Sequence, residues 1–195
     1  MPNASSPDWD RLFAVASRQS GLFTTEQAAS AGYSWELVHH HVGAKRVERV
    51  QRGVYRMVHF PETARQNEAL VAVWLWAAET ATFSHETALA LHGVSGLATD
   101  SVHITVPSAW RTRRLRAPKG VVLHPDEVGE GESTRHGAIP VVSVRRALEE
   151  VALAGMDPKE LRRVTNEASK KGLVARAELD VVRRVLRPVG GLGRA

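Results

Sequence analysis

Lys45-Arg46-Val47-Glu48-Arg49-Val50-Gln51-Arg52-Gly53-Val54-Tyr55-Arg56-Met57 is the stretch on which the fold turns. Val47 and Val50 precede Arg52-Gly53, and Val54, Tyr55 and Met57 follow it. Apolar residues on both sides of a glycine-containing turn specify a β-hairpin. The hairpin is basic: Lys45, Arg46, Arg49, Arg52 and Arg56 fall within residues 43–60 against the single acid Glu48.

Upstream, three short helices are expected. Trp9, Leu12, Phe13 and Ala16 recur at helical spacing between Asp8 and Gln19, with Gly21 beyond the end. Thr24 followed three residues later by Gln27 has the capping-box arrangement, and that helix stops at Gly32. Ser34 caps a third helix that runs to about Val42 and is closed by Gly43. Two short helices joined by a tight glycine turn make a helix-turn-helix. With a basic hairpin directly behind it, the unit reads as a winged helix. Its third helix is then the recognition helix, with Leu37, Val38 and Val42 toward the core. Ser34, Trp35, Glu36, His39 and His40 are left for the DNA side. Arg49 and Arg52, near the hairpin tip, are placed to meet phosphates or enter a minor groove.

Composition shifts around Phe60-Pro61, and the expected division is 1–60 for the winged helix and 61–195 for a mixed α/β domain, an α+β chain overall. Glu68 to Ala78 is apolar nearly all round, which predicts a helix enclosed by the second domain. Ser84 is expected to cap a helix to about Leu91. Val102–Val106, Val121–His124 and one or two segments within Arg135–Val142 read as strands. Ser143–Ala154, Pro158–Lys171 and Arg176–Leu186 read as closing helices.

The composition excludes several classes. There is no cysteine, so disulfides, thiol catalysis and thiolate zinc sites are out, which fits a cytoplasmic protein. No apolar run approaches the ~20 residues that span a bilayer, and the first residues lack a secretory pattern, so no membrane role is expected. Net charge is +5, and it is clustered, as a polyanion-binding surface requires. A second basic cluster, Arg111, Arg113, Arg114, Arg116 and Lys119, contains no acid. It fits a solvated loop and a partner surface equally. His39-His40-His41 cannot share one metal, because consecutive helical residues point about 100° apart. His85 and His92 share a helical face, but HExxH spacing is absent and a buried, hydrogen-bonded pair is expected. No catalytic residue, metal or cofactor is assigned.

Several segments resemble the AbiEi antitoxins of type IV toxin–antitoxin systems. They are Gly21-Leu-Phe-Thr-Thr-Glu-Gln-Ala, Gly32-Tyr33-Ser34 and above all the wing Val47–Arg56. The likeness continues in Ser84–Leu89, His103–Pro107 and Lys171–Val174. The resemblance implies a winged helix joined to an α/β antitoxin domain. It implies binding to inverted repeats in double-stranded DNA at the protein's own promoter, and neutralisation of a nucleotidyltransferase toxin. The DNA-facing positions carried over are Ser34, Trp35, His39, His40, Lys45, Arg49 and Arg52, joined by Arg46 of the same basic cluster. No catalytic residue is implied. An added nuclease-like domain, present in some relatives, is not expected. Two other classes stay open: a repressor whose second domain senses a small ligand in a pocket of Trp74, Trp76, His85 and His92, and an enzyme such as a metal-dependent nuclease.

Overall fold

A computed structural model describes residues 6–65, 67–94, 96, 100–113 and 116–192. The chain divides into two compact units, residues 1–80 and 81–195.

The first unit contains α1 (Trp9–Ser17), β1 (Leu22–Thr24), α2 (Thr25–Ser30), α3 (Trp35–Gly43), β2 (Val47–Gln51), β3 (Val54–Met57) and α4 (Glu68–Trp76). Local signals set most of the boundaries. The Asp8 carboxylate accepts from the Arg11 backbone N–H and starts α1. The Thr24 hydroxyl accepts from the Gln27 N–H while the Gln27 side chain accepts from the Thr24 N–H, a complete capping box for α2. The Gln27 and Gln19 amides exchange two further hydrogen bonds, which join the end of α1 to the start of α2. The turn at Ser20-Gly21 is left-handed at both residues. A side chain at Gly21 would also lie 2.5 Å from the Phe60 ring, so glycine is required there twice over.

The sheet order is β1-β3-β2, all antiparallel. Strand alternation splits β3 into two faces. Tyr55 and Met57 join Leu12, Ala16, Phe23, Ala28, Val38 and Val47 in the core with α1–α3. Val54 and Arg56 take the opposite face, Arg56 level with Leu22 and Glu48 and Val54 level with Thr24 and Gln51. Helix α4 packs on all three strands. Its first residue, Glu68, pairs with Arg56 at 2.8 Å, and Gln51 donates to the Ala72 carbonyl. Glu79, just past α4, accepts from Gln27 at 2.7 Å.

This corrects the expected boundary at Phe60-Pro61. The apolar helix does bury Val71, Ala72, Val73, Trp74 and Leu75, but it belongs to the first unit. A sheet with helices on one face leaves Leu22 and Val54 uncovered, and α4 supplies the second layer. Two smaller differences concern turns. Strand β1 goes beyond the elements expected from the sequence, and the left-handed residue after α3 is Lys45 rather than Gly43, which is helical.

The second unit contains β4 (Thr82–Phe83), α5 (His85–Leu91), β5 (Val102–Val106), β6 (Val121–Pro125), β7 (Ser133–His136), β8 (Ile139–Val142), α6 (Val144–Leu153), α7 (Pro158–Lys170) and α8 (Asp180–Leu186). Its sheet has the order β6-β5-β4-β8-β7, with parallel β5–β6 and β4–β8 pairs and antiparallel β4–β5 and β7–β8 pairs. The fold is thus α+β, a winged helix followed by an α/β unit. The expected strands and helices are present, except that a 3-10 turn (Arg176–Glu178) precedes α8, and the two-residue β4 is an addition to them. That short strand sits at the centre of the sheet, where Phe83 is level with Ile104 and Val141, all fully buried. Ser84 does not cap α5 with its hydroxyl; the Glu150 carboxylate accepts from the His85 N–H instead, at 3.0 Å. Arg146 on α6 pairs with Glu150, Glu132 and Asp126 and so ties α6 to the chain after β6.

Buried Val71 and Leu75 each contribute about 1.5–3 kcal/mol, a large part of what a small domain has in reserve. A fragment 1–80 is therefore expected to unfold cooperatively on heating, whereas 1–60 loses its thermal transition. Equal melting temperatures for the two fragments would contradict the assignment of α4 to the first unit.

Candidate nucleic-acid interface

Ser34 sits at the N-cap of α3, where its hydroxyl accepts from the Leu37 N–H at 3.2 Å. Val38 is buried, and Leu37 and Val42 pack against the same core, as the spacing required. The opposite side of α3 is open. Trp35 is 62% exposed, its ring 3.8 Å from that of His39. The His39 ring is held by Nδ1 at 2.9 Å from the Trp35 carbonyl oxygen and by an edge contact with Tyr55. His40 is exposed. His41 turns away to Trp9 and Tyr33. Burial, together with nearby Arg46 and His40, lowers its pKa. The three consecutive histidines therefore face different surroundings.

Tyr55 links helix to wing, because it touches His39 and lies level with Arg49 across the sheet. The register of β2 shifts between Arg49 and Gln51, so Val50 is bulged and exposed. One extra residue moves Gln51 onto the α4 face while Arg49 stays level with Tyr55. Arg52 is exposed beside Gly53, whose φ of 78° makes the hairpin turn. Lys45 and Arg46 are exposed in the turn that leaves α3.

The structure thus separates the basic run into two groups. Lys45, Arg46, Arg49 and Arg52 are exposed around α3 and the wing. Arg56 is consumed by Glu48 and Glu68 on the α4 face. Ser34 serves the helix start, and Trp35, His39 and His40 present side chains along α3.

In the second basic cluster, Arg111 donates to the Pro125 carbonyl and the Arg113 guanidinium lies 5.0 Å over the buried Trp110 ring. Arg116 and Lys119 are exposed, and Arg114 lies outside the described residues. The four residues expected to line a ligand pocket fall in two different units. Trp74 and Trp76 belong to the first unit, and His85 and His92 to the second. His92 is held within the second unit, its Nε2 at 2.8 Å from the Val142 carbonyl oxygen.

Sequence spacing misses a constellation in the second unit. His85, His103 and His124 come together, with ring centroids 3.7 Å apart for His85–His124 and 5.2 Å for His103–His124. The partner expected for His85 is His92, seven residues on along one helix. The actual partners come from β5 and β6, and no linear motif marks them. Burial, then the neighbouring imidazoles of His124 and His103 and the charge of Arg146, push the His85 pKa down to about 3.

No helix among the described residues is long and apolar enough to cross a membrane. Residues 10–58 match the family model described as transcriptional regulator, AbiEi antitoxin. The match covers about a quarter of the chain, from α1 through β3. The winged helix therefore carries the likeness to antitoxin regulators. No curated protein matches the chain.

Two substitutions separate the exposed from the consumed residues. Trp35→Ala is expected to leave the melting temperature nearly unchanged and weaken DNA binding. Arg56→Ala is expected to cost about 1–2 kcal/mol of stability, as its pairs are only partly exposed, with little effect on DNA affinity of the folded protein. Thermal melts beside mobility-shift titrations check both, and the reverse pattern would exclude this interface.

Proposed function

We propose that the chain is the antitoxin of a type IV toxin–antitoxin system. On this reading it represses its own operon by binding inverted repeats in promoter DNA, and it counteracts a nucleotidyltransferase toxin. What supports the DNA half is one observation: four exposed cations, Lys45, Arg46, Arg49 and Arg52, flank an α3 whose outer side carries Trp35, His39 and His40. The match of residues 10–58 to antitoxin regulators points the same way.

The division of labour follows from side-chain chemistry. Lys45, Arg46, Arg49 and Arg52 neutralise phosphates and set the register of the protein on the duplex. Trp35, His39 and His40 reach toward base edges in the major groove, where an exposed indole can meet a thymine methyl and a histidine can exchange hydrogen bonds. Ser34 holds the N-terminus of α3 in place. Two protomers, one per half-site, would match an inverted repeat. The second unit is the toxin-neutralising part in this account. Arg116 and Lys119 are its exposed loop cations and the first positions to test for lost neutralisation.

Mobility shift on the upstream DNA, run over a salt series, tests the DNA half. With four phosphates neutralised per protomer, log K is expected to fall with log salt at a slope of about −4. Arg49→Ala and Arg52→Ala each reduce the slope by about 1 and weaken promoter and random DNA alike. His40→Ala changes the ratio between them. A salt-independent interaction, or none, rejects the reading. Co-expression with the product of the neighbouring gene tests the toxin half: fragment 81–195 is expected to rescue growth, and a folded, abundant fragment without rescue removes the modular assignment.

A further inference from the structure

The second unit holds a cluster that DNA binding does not use. We propose that His85, His103 and His124, with the Glu86 carboxylate, form a site for a divalent cation of the zinc class.

One ring nitrogen from each histidine lies within 4.8 Å of those from the other two. Nδ1 of His103 and Nε2 of His124 are 3.0 Å apart. Ligand nitrogens around a tetrahedral zinc ion stand about 3.3 Å apart, so this pair is already near coordinating separation. His85 and His124 stack at 20° between planes. Convergence on one ion then requires rotation of the rings about their side-chain bonds, which leaves the backbone in place.

The backbone is built to hold the three together. In the parallel β5–β6 pair, His124 lies level with Thr105, so His103 and His124 share a sheet face one step apart. The start of α5 is fastened to β5 on both sides of His103. The Ser84 N–H donates to the His103 carbonyl, and the His103 N–H donates to the Thr87 hydroxyl at 2.9 Å. His85 itself adopts φ 53°, a left-handed conformation that a residue with a β-carbon takes at a cost. No turn glycine occupies the position, and the strain delivers the imidazole to its two partners.

Two further observations point to a cation. The Glu86 Oε2 atom is buried, 3.7 Å from His103 Nδ1, and has no hydrogen-bond partner. A carboxylate oxygen in that condition is costly unless a cation meets it. It would be the fourth ligand. The Nδ1 edge of His85 is already engaged, 3.1 Å from the Ser84 hydroxyl and 3.5 Å from Glu150, whose other oxygen is held by Arg146. That is the arrangement of outer groups that orient a metal-binding imidazole, and it leaves Nε2 of His85 as the ligand atom. Three neutral imidazoles and one carboxylate are a donor set suited to zinc and not to magnesium or calcium.

The test uses the full chain. Purified protein is dialysed against zinc chloride, and separately against cobalt chloride, and bound metal is counted by elemental analysis. Cobalt is also read by its visible absorption, which is strong only in tetrahedral sites. One equivalent of metal and a tetrahedral cobalt spectrum are expected. His103→Gln and His124→Gln are expected to weaken zinc by at least about 100-fold and abolish the spectrum. Glu86→Gln shifts the cobalt spectrum, whereas His92→Gln, outside the cluster, changes nothing. Circular dichroism confirms that the variants are folded, and should either histidine variant unfold, Glu86→Gln against His92→Gln decides. Wild-type protein that takes up less than one equivalent, or uptake and a cobalt spectrum unaltered by these substitutions, overturns the proposal.

Discussion

Alternation along β3 is the constraint on which the first unit depends. Four residues, Val54 to Met57, point their side chains to two faces in turn. Tyr55 and Met57 enter the core shared with α1–α3, and Val54 and Arg56 turn to the face that α4 covers. A slip of one residue would put the Arg56 guanidinium into the helical core and turn Tyr55 to the α4 face. The central position of β3, paired on both edges by β1 and β2, makes such a slip costly. The same alternation places α3 beside the wing, because Tyr55 reaches His39 on one element and stands level with Arg49 on another.

The bulge at Val50 adds to this. Without it Arg49 and Gln51 would share a face. With it, Gln51 is turned to the Ala72 carbonyl and Arg49 stays level with Tyr55. One irregularity in one strand thus lets Gln51 fasten α4 while Arg49 stays exposed on the other face. The ion pairs of Arg56 show how little a count of positive charges says by itself. Five cations in residues 43–60 look alike in sequence, but only four remain exposed once the strand faces are known.

What can be read from the chain follows the range of the signal. Capping and turn chemistry is local, so Thr24 with Gln27, Ser34, and the Arg52-Gly53 turn are legible in the residues themselves. The strands β1 and β4, three and two residues long, are too short to show a period, although β4 is the middle of its sheet. Helix α4 reads as buried, but an apolar helix carries no mark of which sheet it covers; that depends on Leu22 and Val54 lying uncovered on a strand face assembled from distant segments. The exposed side of α3 can be deduced from Leu37, Val38 and Val42. The histidine cluster cannot, because His85, His103 and His124 are joined only by the parallel register of β5 and β6 and by the strained start of α5.

The central claim is that α3 and the β2–β3 wing form one continuous DNA-facing surface on the first unit. Amide and side-chain NMR of fragment 1–80, titrated with the upstream duplex, measures it residue by residue. The account predicts that Trp35, His39, His40, Lys45, Arg46, Arg49 and Arg52 shift together, while Leu22, Arg56 and the residues of α4 stay near their free positions. Shifts centred on α4, or a folded fragment whose spectrum the duplex leaves unchanged, would contradict it.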